Sequence, residues 1–318
     1  MDKEKTSLSW MNNMYEIIMN PNGASGSAKK VFLKVEKILN EKRIPFHLHC
    51  STKEHDLDLI AKEVTEGKED VDLIVMGGDG TLNKVINGIE DLSKVTIGYI
   101  PCGSGNDFAK ALAISKNVEK NLTHILERKK RPIDIGEVTY FNGKEVTQRY
   151  IVSSGIGFDA AICERADRSP FKKYLNAIKL GKLIYTISAI EIIFETQRIQ
   201  AKVKVNGNEV FHGQMLATVC MNSCYEGGGF MFCPKANPFD KQLDVCVFGN
   251  LTKFGFFRIF PFAIIGKHTI FKEVNEYRFN QIEVVTKEPM WFHTDGEVTC
   301  KTDHLTMRLH EHPLNIYN

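Results

Sequence analysis

Through about residue 112 the chain alternates short apolar runs with segments whose apolar positions recur at helical spacing. Tyr15 to Met19 (YEIIM) is the first run, and Asn20-Pro21-Asn22-Gly23-Ala24-Ser25-Gly26-Ser27 follows it. A helix is then predicted with Val31, Phe32, Val35, Ile38 and Leu39 on one face. Ile44 to Cys50 predicts a second strand, and Leu57, Ile60, Ala61 and Val64 mark a helix over roughly residues 52–64. In the third unit, Leu73, Ile74, Val75 and Met76 are consecutive apolar residues, as in a strand buried on both faces. They lead into Gly77-Gly78-Asp79-Gly80-Thr81 and a helix carrying Leu82, Val85, Ile86 and Ile89, with the Thr81 hydroxyl expected to cap its start. A fourth strand, Val95 to Ile100, runs through Pro101-Cys102-Gly103-Ser104-Gly105-Asn106-Asp107 into a helix with Phe108, Ala111 and Leu112. This strand–loop–helix repetition predicts a Rossmann-like α/β domain with a parallel sheet over residues 1–134.

From Ile133 onward the pattern is mostly strand-like: EVTYF, QRYIVSS, IQAKVKV, EVFHGQMLATVCM, LDVCVF and IEVVT, with a turn at Asn206-Gly207-Asn208. A mainly-β, sandwich-like second domain is expected over residues 135–318, with the active site in the cleft between the domains. Two helical interruptions fall near residues 170–195 and 253–265. The second carries Phe254, Phe256, Phe257, Phe260 and Phe262. Burial against the sandwich is its simpler explanation; lining an acyl-chain pocket or touching a bilayer is the sharper one.

Glycine loops at strand ends suit phosphates, because backbone amides can approach the oxygens and a helix dipole adds positive potential. Three such loops follow three strands of one predicted sheet, whose carboxyl ends share an edge. None matches the P-loop or the dinucleotide G-x-G-x-x-G pattern. Asp79 inside a phosphate loop would repel its ligand unless a divalent cation intervenes or the carboxylate joins the chemistry.

Composition narrows the alternatives. The formal charge is +2, from 41 basic and 39 acidic residues, so no overall field marks a nucleic-acid binder. No apolar run has the length of a membrane span, and MDKEKTSLSWMNNM lacks the apolar core of a secretion signal, so a cytoplasmic protein is expected. The eight cysteines form no CxxC pairs and are expected to be reduced and mostly buried.

NPNGASG (20–26), GGDGTLN (77–83), PCGSGNDFAKAL (101–112), IDIG (133–136), the GGG-x6-A-x3-D pattern from Gly227 to Asp240 and DGE (295–297) together resemble the diacylglycerol kinase catalytic domain family, which includes soluble bacterial lipid kinases and the sphingosine and ceramide kinases. The motifs keep the family's order over nearly the whole chain. GGDGT is shared with NAD kinases and phosphofructokinase-like enzymes; GSGND and the late DGE are more specific. The resemblance implies transfer of a phosphoryl group from ATP, with Mg2+, to a lipid hydroxyl, and diacylglycerol is the first acceptor it suggests. It also implies site residues. Asn20, Pro21, Ser25, Gly26, Thr52, Gly77, Gly78, Asp79, Gly80, Thr81, Asn83, Gly103, Ser104 and Asn106 match nucleotide-binding segments. Asp79, Asp107 and Asp134 match an acidic network around metal and phosphates, and Glu297 matches the proposed base, with Asp295 beside it. A second-domain metal would use Asp240 with Asn237 and Gln242. Ser104 stands where many relatives have threonine, and Asp240-Lys241 where Asp-Gly is common.

A lipid kinase would meet its substrate at a membrane surface by peripheral, transient contact, and could form a homo-oligomer; no nucleic-acid partner is expected. Other lipid acceptors, such as a sphingoid base or phosphatidylglycerol, remain open on the sequence. So do an NAD kinase-like enzyme and a non-enzymatic nucleotide- or lipid-binding regulator.

Overall fold

The computed structural model describes residues 14–21, 27–52, 56–103, 105–169 and 182–318, which form two compact units: residues up to Ile133 with His312–Asn318, and Asp134–Glu311. The domain boundary expected after residue 134 therefore lies one residue earlier. The last seven residues, expected in the second domain, return to the first.

In the first unit, β1 (Tyr15–Met19), α1 (Ser27–Glu41), β2 (Phe46–Cys50), α2 (Asp56–Thr65), β3 (Val71–Gly77), α3 (Asp79–Gly88) and β4 (Val95–Pro101) follow the predicted alternation. Then come α4 (Asp107–Ala111), α5 (Val118–Leu126) and β5 (Lys130–Ile133). The sheet order is β2-β1-β3-β4-β15-β5, with β15 (Leu314–Tyr317) parallel to β4 and antiparallel to β5. All seven residues of β3 are buried, as its unbroken apolar run requires of a central parallel strand. Edge strand β2 has only partly buried and exposed positions instead. The core gathers Ile17, Val35, Leu39, Ile74, Met76 and Ile125. Burying each such side chain contributes on the order of 2 kcal/mol.

The charged segment after α5 is partly structural. Arg128 pairs with buried Asp72 on β3 and lies near the rings of Tyr15 on β1 and Tyr317 on β15. It links β1, β3 and β15 at the end of the sheet remote from the glycine loops.

The second unit is a nine-stranded antiparallel sheet: β6 (Gly136–Phe141), β7 (Glu145–Tyr150), β8 (Ser153–Gly157), β9 (Ile199–Val205), β10 (Asn208–Met221), β11 (Leu243–Gly249), β12 (Val274–Phe279), β13 (Gln281–Thr294) and β14 (Glu297–Leu309). The long strands β10 and β13 each pair with β9 along one part and β8 along another, folding the sheet around a core that includes Val203, Met215, Phe279 and Phe292. Helices α6 (Phe158–Arg168), α7 (Lys182–Glu195) and α8 (Lys253–Ile264) complete the unit. α6 was not evident from the sequence pattern. The turn between β9 and β10 is Asn206-Gly207, both at positive φ (48° and 82°), the two-residue hairpin such a dipeptide favours.

All eight cysteines are free thiols; Cys102, Cys220, Cys233 and Cys246 are buried, and Cys50 is exposed. Burial raises the pKa of each of these four buried thiols.

Candidate functional site

In the first unit, the loops after β3 and β4 meet. Gly78 and Gly103 approach so closely that a Cβ on Gly103 would lie 2.7 Å from the Gly78 Cα. Asp79 joins them chemically: its Oδ2 accepts the Asp107 amide at 2.8 Å and its Oδ1 the Phe108 amide at 3.3 Å. A carboxylate from the start of α3 thus caps the start of α4. The Gly77 carbonyl accepts both the Cys102 amide, at 2.7 Å, and the Tyr99 hydroxyl, at 3.1 Å. Burial, followed by the negative charges of Asp79 and Asp107, holds the Tyr99 phenol well above its ordinary pKa. Tyr99 therefore stays a neutral donor beneath the loops. Asn106 takes a left-handed conformation (φ 51°), donates to the Gly103 carbonyl at 2.6 Å, and keeps a buried Oδ1 without a hydrogen-bond partner.

The expected nucleotide residues of this unit divide accordingly. Gly77, Gly78, Asp79, Gly80, Gly103, Asn106 and Asp107 belong to these two adjoining loops. Asn20 is buried at the end of neighbouring β1, its amide donating to Met76 O, and Pro21 follows it. Thr52 is exposed, with its hydroxyl on Asp56 at 2.7 Å. Asn83 is buried on α3 and accepts from Asn87. Thr81 does not cap α3: the N-cap is Gly78, and the Thr81 side chain packs where a Gly77 Cβ would stand. The helix begins three residues earlier than the apolar periodicity indicated, so Thr81 falls inside its first turn. Ser25, Gly26 and Ser104 lie outside the described residues.

In the second unit, Asp134 is buried: its amide donates to Pro238 O, and its Oδ2 accepts the Lys241 amide, both at 2.7 Å. Burial, and secondarily the Asp240 charge, raises its pKa. Asp240 Oδ2 pairs with Arg278 at 3.1 Å, while Asp240 Oδ1 is buried without a hydrogen-bond partner. Arg278 also donates to Gln242 and faces Asp244. This guanidinium, which no motif indicated, supplies positive charge to the loop expected to hold a metal. Asp240 Oδ1 and Asp244 Oδ2 are the buried carboxylate oxygens around this guanidinium without a hydrogen-bond partner. Asn237 is exposed.

The late DGE forms the β13–β14 turn. Asp295 and Gly296 both have positive φ (49° and 83°), and Glu297 opens β14 opposite Thr294, exposed to solvent. Asp295 is a clamp: its carboxylate accepts the amides of Ile151, Val152 and Ser153 at 2.7–3.2 Å. That explains why QRYIVSS, expected as one strand, divides into β7 and β8: its middle amides point at a side chain instead of a neighbouring strand. A carboxylate so engaged suits positioning, and the base expected of this turn is Glu297.

Beside the turn is a cluster that the motifs missed. His293 is fully buried; its Nε2 lies 3.0 Å from Asp159 Oδ2 and 3.3 Å from Glu226 Oε1, while its Nδ1 accepts the Gly296 amide at 3.1 Å. Among the described residues, these three form the one group of His, Cys, Asp or Glu gathered closely enough to consider for a metal. Each comes from a different stretch of chain and reads locally as an ordinary polar residue. The available signal was a histidine two positions before DGE.

A partly enclosed pocket with a cavity volume of about 40 Å³ lies in the same unit, lined by Phe158, Leu216, Phe232, Phe248, Phe256 and Phe260 among others. Asp159 is the charged residue of its wall. Phe256 and Phe260 bring one face of α8 to this pocket, whereas Phe254 is 83% exposed.

Comparison with known proteins places both units. Residues 15–138 match the diacylglycerol kinase catalytic domain, and residues 151–316 match the YegS C-terminal NAD kinase beta sandwich-like domain. The chain is 26% identical to YtlR of Bacillus subtilis over 90% of this chain and 93% of that one. It is 28% identical to a diacylglycerol kinase of the same organism, over 88% of each chain. A solved Bacillus anthracis structure superposes with a TM-score of 0.76 at 23% identity, covering 96% of this chain and 97% of the other. The ATP complex of an Archaeoglobus fulgidus NAD kinase shares the fold, with a TM-score of 0.54 at 12% identity, over 96% and 93% of the two chains. The chain belongs to the diacylglycerol kinase catalytic-domain family, with an α/β unit followed by the family's sandwich-like C-terminal unit.

Proposed function

We propose that this protein transfers the γ-phosphate of ATP to the hydroxyl of a lipid, with diacylglycerol as the first candidate acceptor. The observation that carries the lipid reading is the Phe-lined pocket of the second unit, whose apolar walls suit an acyl chain. The adjoining glycine loops of the first unit support the nucleotide half: Gly103 leaves no room for a side chain against Gly78, and such bare backbone suits amide contact with phosphate oxygens. Asp79, with Asp107 beside it, fits the role of holding Mg2+, because carboxylates in a phosphate loop call for a cation. Bound there, Mg2+ would offset charge on the transferring phosphoryl group. The protein's own contribution is positioning: Asp79 ties the two loops, and Asn106 fixes the second one.

An aliphatic hydroxyl is a weak nucleophile, so a carboxylate must take its proton as the new P–O bond forms. Glu297 is the candidate, exposed at the start of β14 on a turn fixed by Asp295. Glu297→Gln should lower turnover on the order of 10²-fold or more with ATP binding retained; near-normal turnover would remove Glu297 from this role. The deciding assay offers radiolabelled ATP with diacylglycerol, a sphingoid base, phosphatidylglycerol and NAD in parallel, with the lipids in mixed micelles. Label in a lipid product supports the proposal. Label only in NADP would transfer the protein to the NAD kinase reading, and nucleotide binding with no labelled product would make it a regulator.

A further inference from the structure

The Asp159–His293–Glu226 cluster invites a metal, and its hydrogen bonds argue against one. A neutral histidine that binds a metal through Nε2 carries its proton on Nδ1. Here Nδ1 accepts the Gly296 amide, so the ring proton belongs on Nε2, directed at the two carboxylates. His293 is therefore held as a donor on one side and an acceptor on the other.

We propose that His293 is a positioning residue for the Asp295-Gly296 turn, through which buried Asp159 and Glu226 fix the direction of the Glu297 carboxylate. The inference rests on the lipid kinase reading for its catalytic consequence. Each part of the chain of contacts is rigidly built. Glu226 is set by a closed turn in which its amide and carbonyl both bond Phe230, across Gly227, Gly228 and Gly229, all at positive φ. Asp159 lies in the first turn of α6 against Gly155, where an added Cβ would fall 1.7 Å from its Oδ2. His293 has no exposed surface, so its ring cannot swing out to release the turn without opening the packing. Gly296, held at Nδ1, is the residue immediately before Glu297. Asp159 also lines the apolar pocket, so one carboxylate serves both the pocket wall and the support of the turn.

Two replacements of His293 separate the two sides of the ring. His293→Asn puts an amide oxygen near the position of Nδ1 and loses the Nε2 donor. His293→Gln reaches toward the carboxylates and leaves the Gly296 amide without its acceptor. Hydrogen exchange of the full chain is followed at the Gly296 amide, and kcat and KM are measured with ATP and diacylglycerol in mixed micelles. In His293→Gln, exchange at Gly296 should accelerate about tenfold or more, and kcat should fall on the order of 10- to 100-fold with KM for ATP unchanged. His293→Asn should restore protection at Gly296 and part of the turnover, the remaining loss being the share that Asp159 and Glu226 exert through Nε2. The proposal is overturned if His293→Gln keeps wild-type exchange or wild-type kcat, or if His293→Asn is as impaired as His293→Gln. Stoichiometric zinc in the purified wild type that His293→Gln loses would also overturn it, since that requires the Nε2 lone pair. If the wild type phosphorylates no lipid, the lipid kinase reading fails, and exchange at Gly296 still decides whether His293 holds the turn.

Discussion

At the scale of single residues, the site depends on atoms that are absent as much as on those present. Gly78 and Gly103 pass each other with no space for a methyl group on Gly103. Gly103→Ala must therefore separate the loops that Asp79 joins, although Gly103 lies outside the regular elements and the sheet beneath is independent of it. We expect Gly103→Ala to weaken ATP binding and lower turnover by about tenfold or more, since displacements near 1 Å carry such costs, while far-ultraviolet circular dichroism is unchanged. Calorimetric titration with ATP measures this directly; wild-type affinity would show that the loops tolerate separation. The sequence made the glycine loops legible because their chemistry is local. It did not show that Asp79 caps α4, because that contact joins residues 28 or more positions apart.

At the scale of elements, β1 to β4 were legible because parallel strands and their helices carry their own periodicity: four buried apolar residues before Gly77 identify a central strand without knowledge of its neighbours. The β7–β8 break was illegible for the converse reason. Tyr150, Ile151 and Val152 look like strand residues, and what interrupts them is Asp295, more than 140 residues away. That interruption is energetically substantial. Asp295→Ala would strand three backbone amides in partly buried surroundings, each costing roughly 1–3 kcal/mol if water does not replace the acceptor. We expect a net loss of about 2–4 kcal/mol, seen as a lower urea midpoint with little change in m. Asp295→Asn, which keeps one acceptor oxygen, should lose less. Equal stability of Asp295→Ala and wild type would show that the clamp is ornamental and reopen Asp295 as a chemical group.

At the scale of the whole molecule, the lipid acceptor proposed above raises the question of how the protein would reach a bilayer. No helix among the described residues is long and apolar enough to cross one. The second unit nevertheless exposes Ile187, Ile190 and Phe194 on α7 and Phe254 and Phe257 on α8, with Phe194 and Phe257 5.8 Å apart between ring centroids. Large apolar side chains gathered on adjoining helices favour an interface, and insertion to headgroup depth would remove them from water. The phenylalanine-rich sequence of α8 thus serves two purposes that its composition could not separate: Phe256 and Phe260 line the pocket, and Phe254 and Phe257 face solvent. The double variant Phe254→Ser, Phe257→Ser should leave the pocket face intact and reduce flotation with diacylglycerol-containing phosphatidylglycerol liposomes by about tenfold, from loss of apolar burial. Its turnover on a short-chain, water-soluble diacylglycerol should change little, because that substrate needs no bilayer. Undiminished flotation of the folded variant would move membrane contact elsewhere, whereas equal losses on both substrates would assign these rings to the pocket or to its packing.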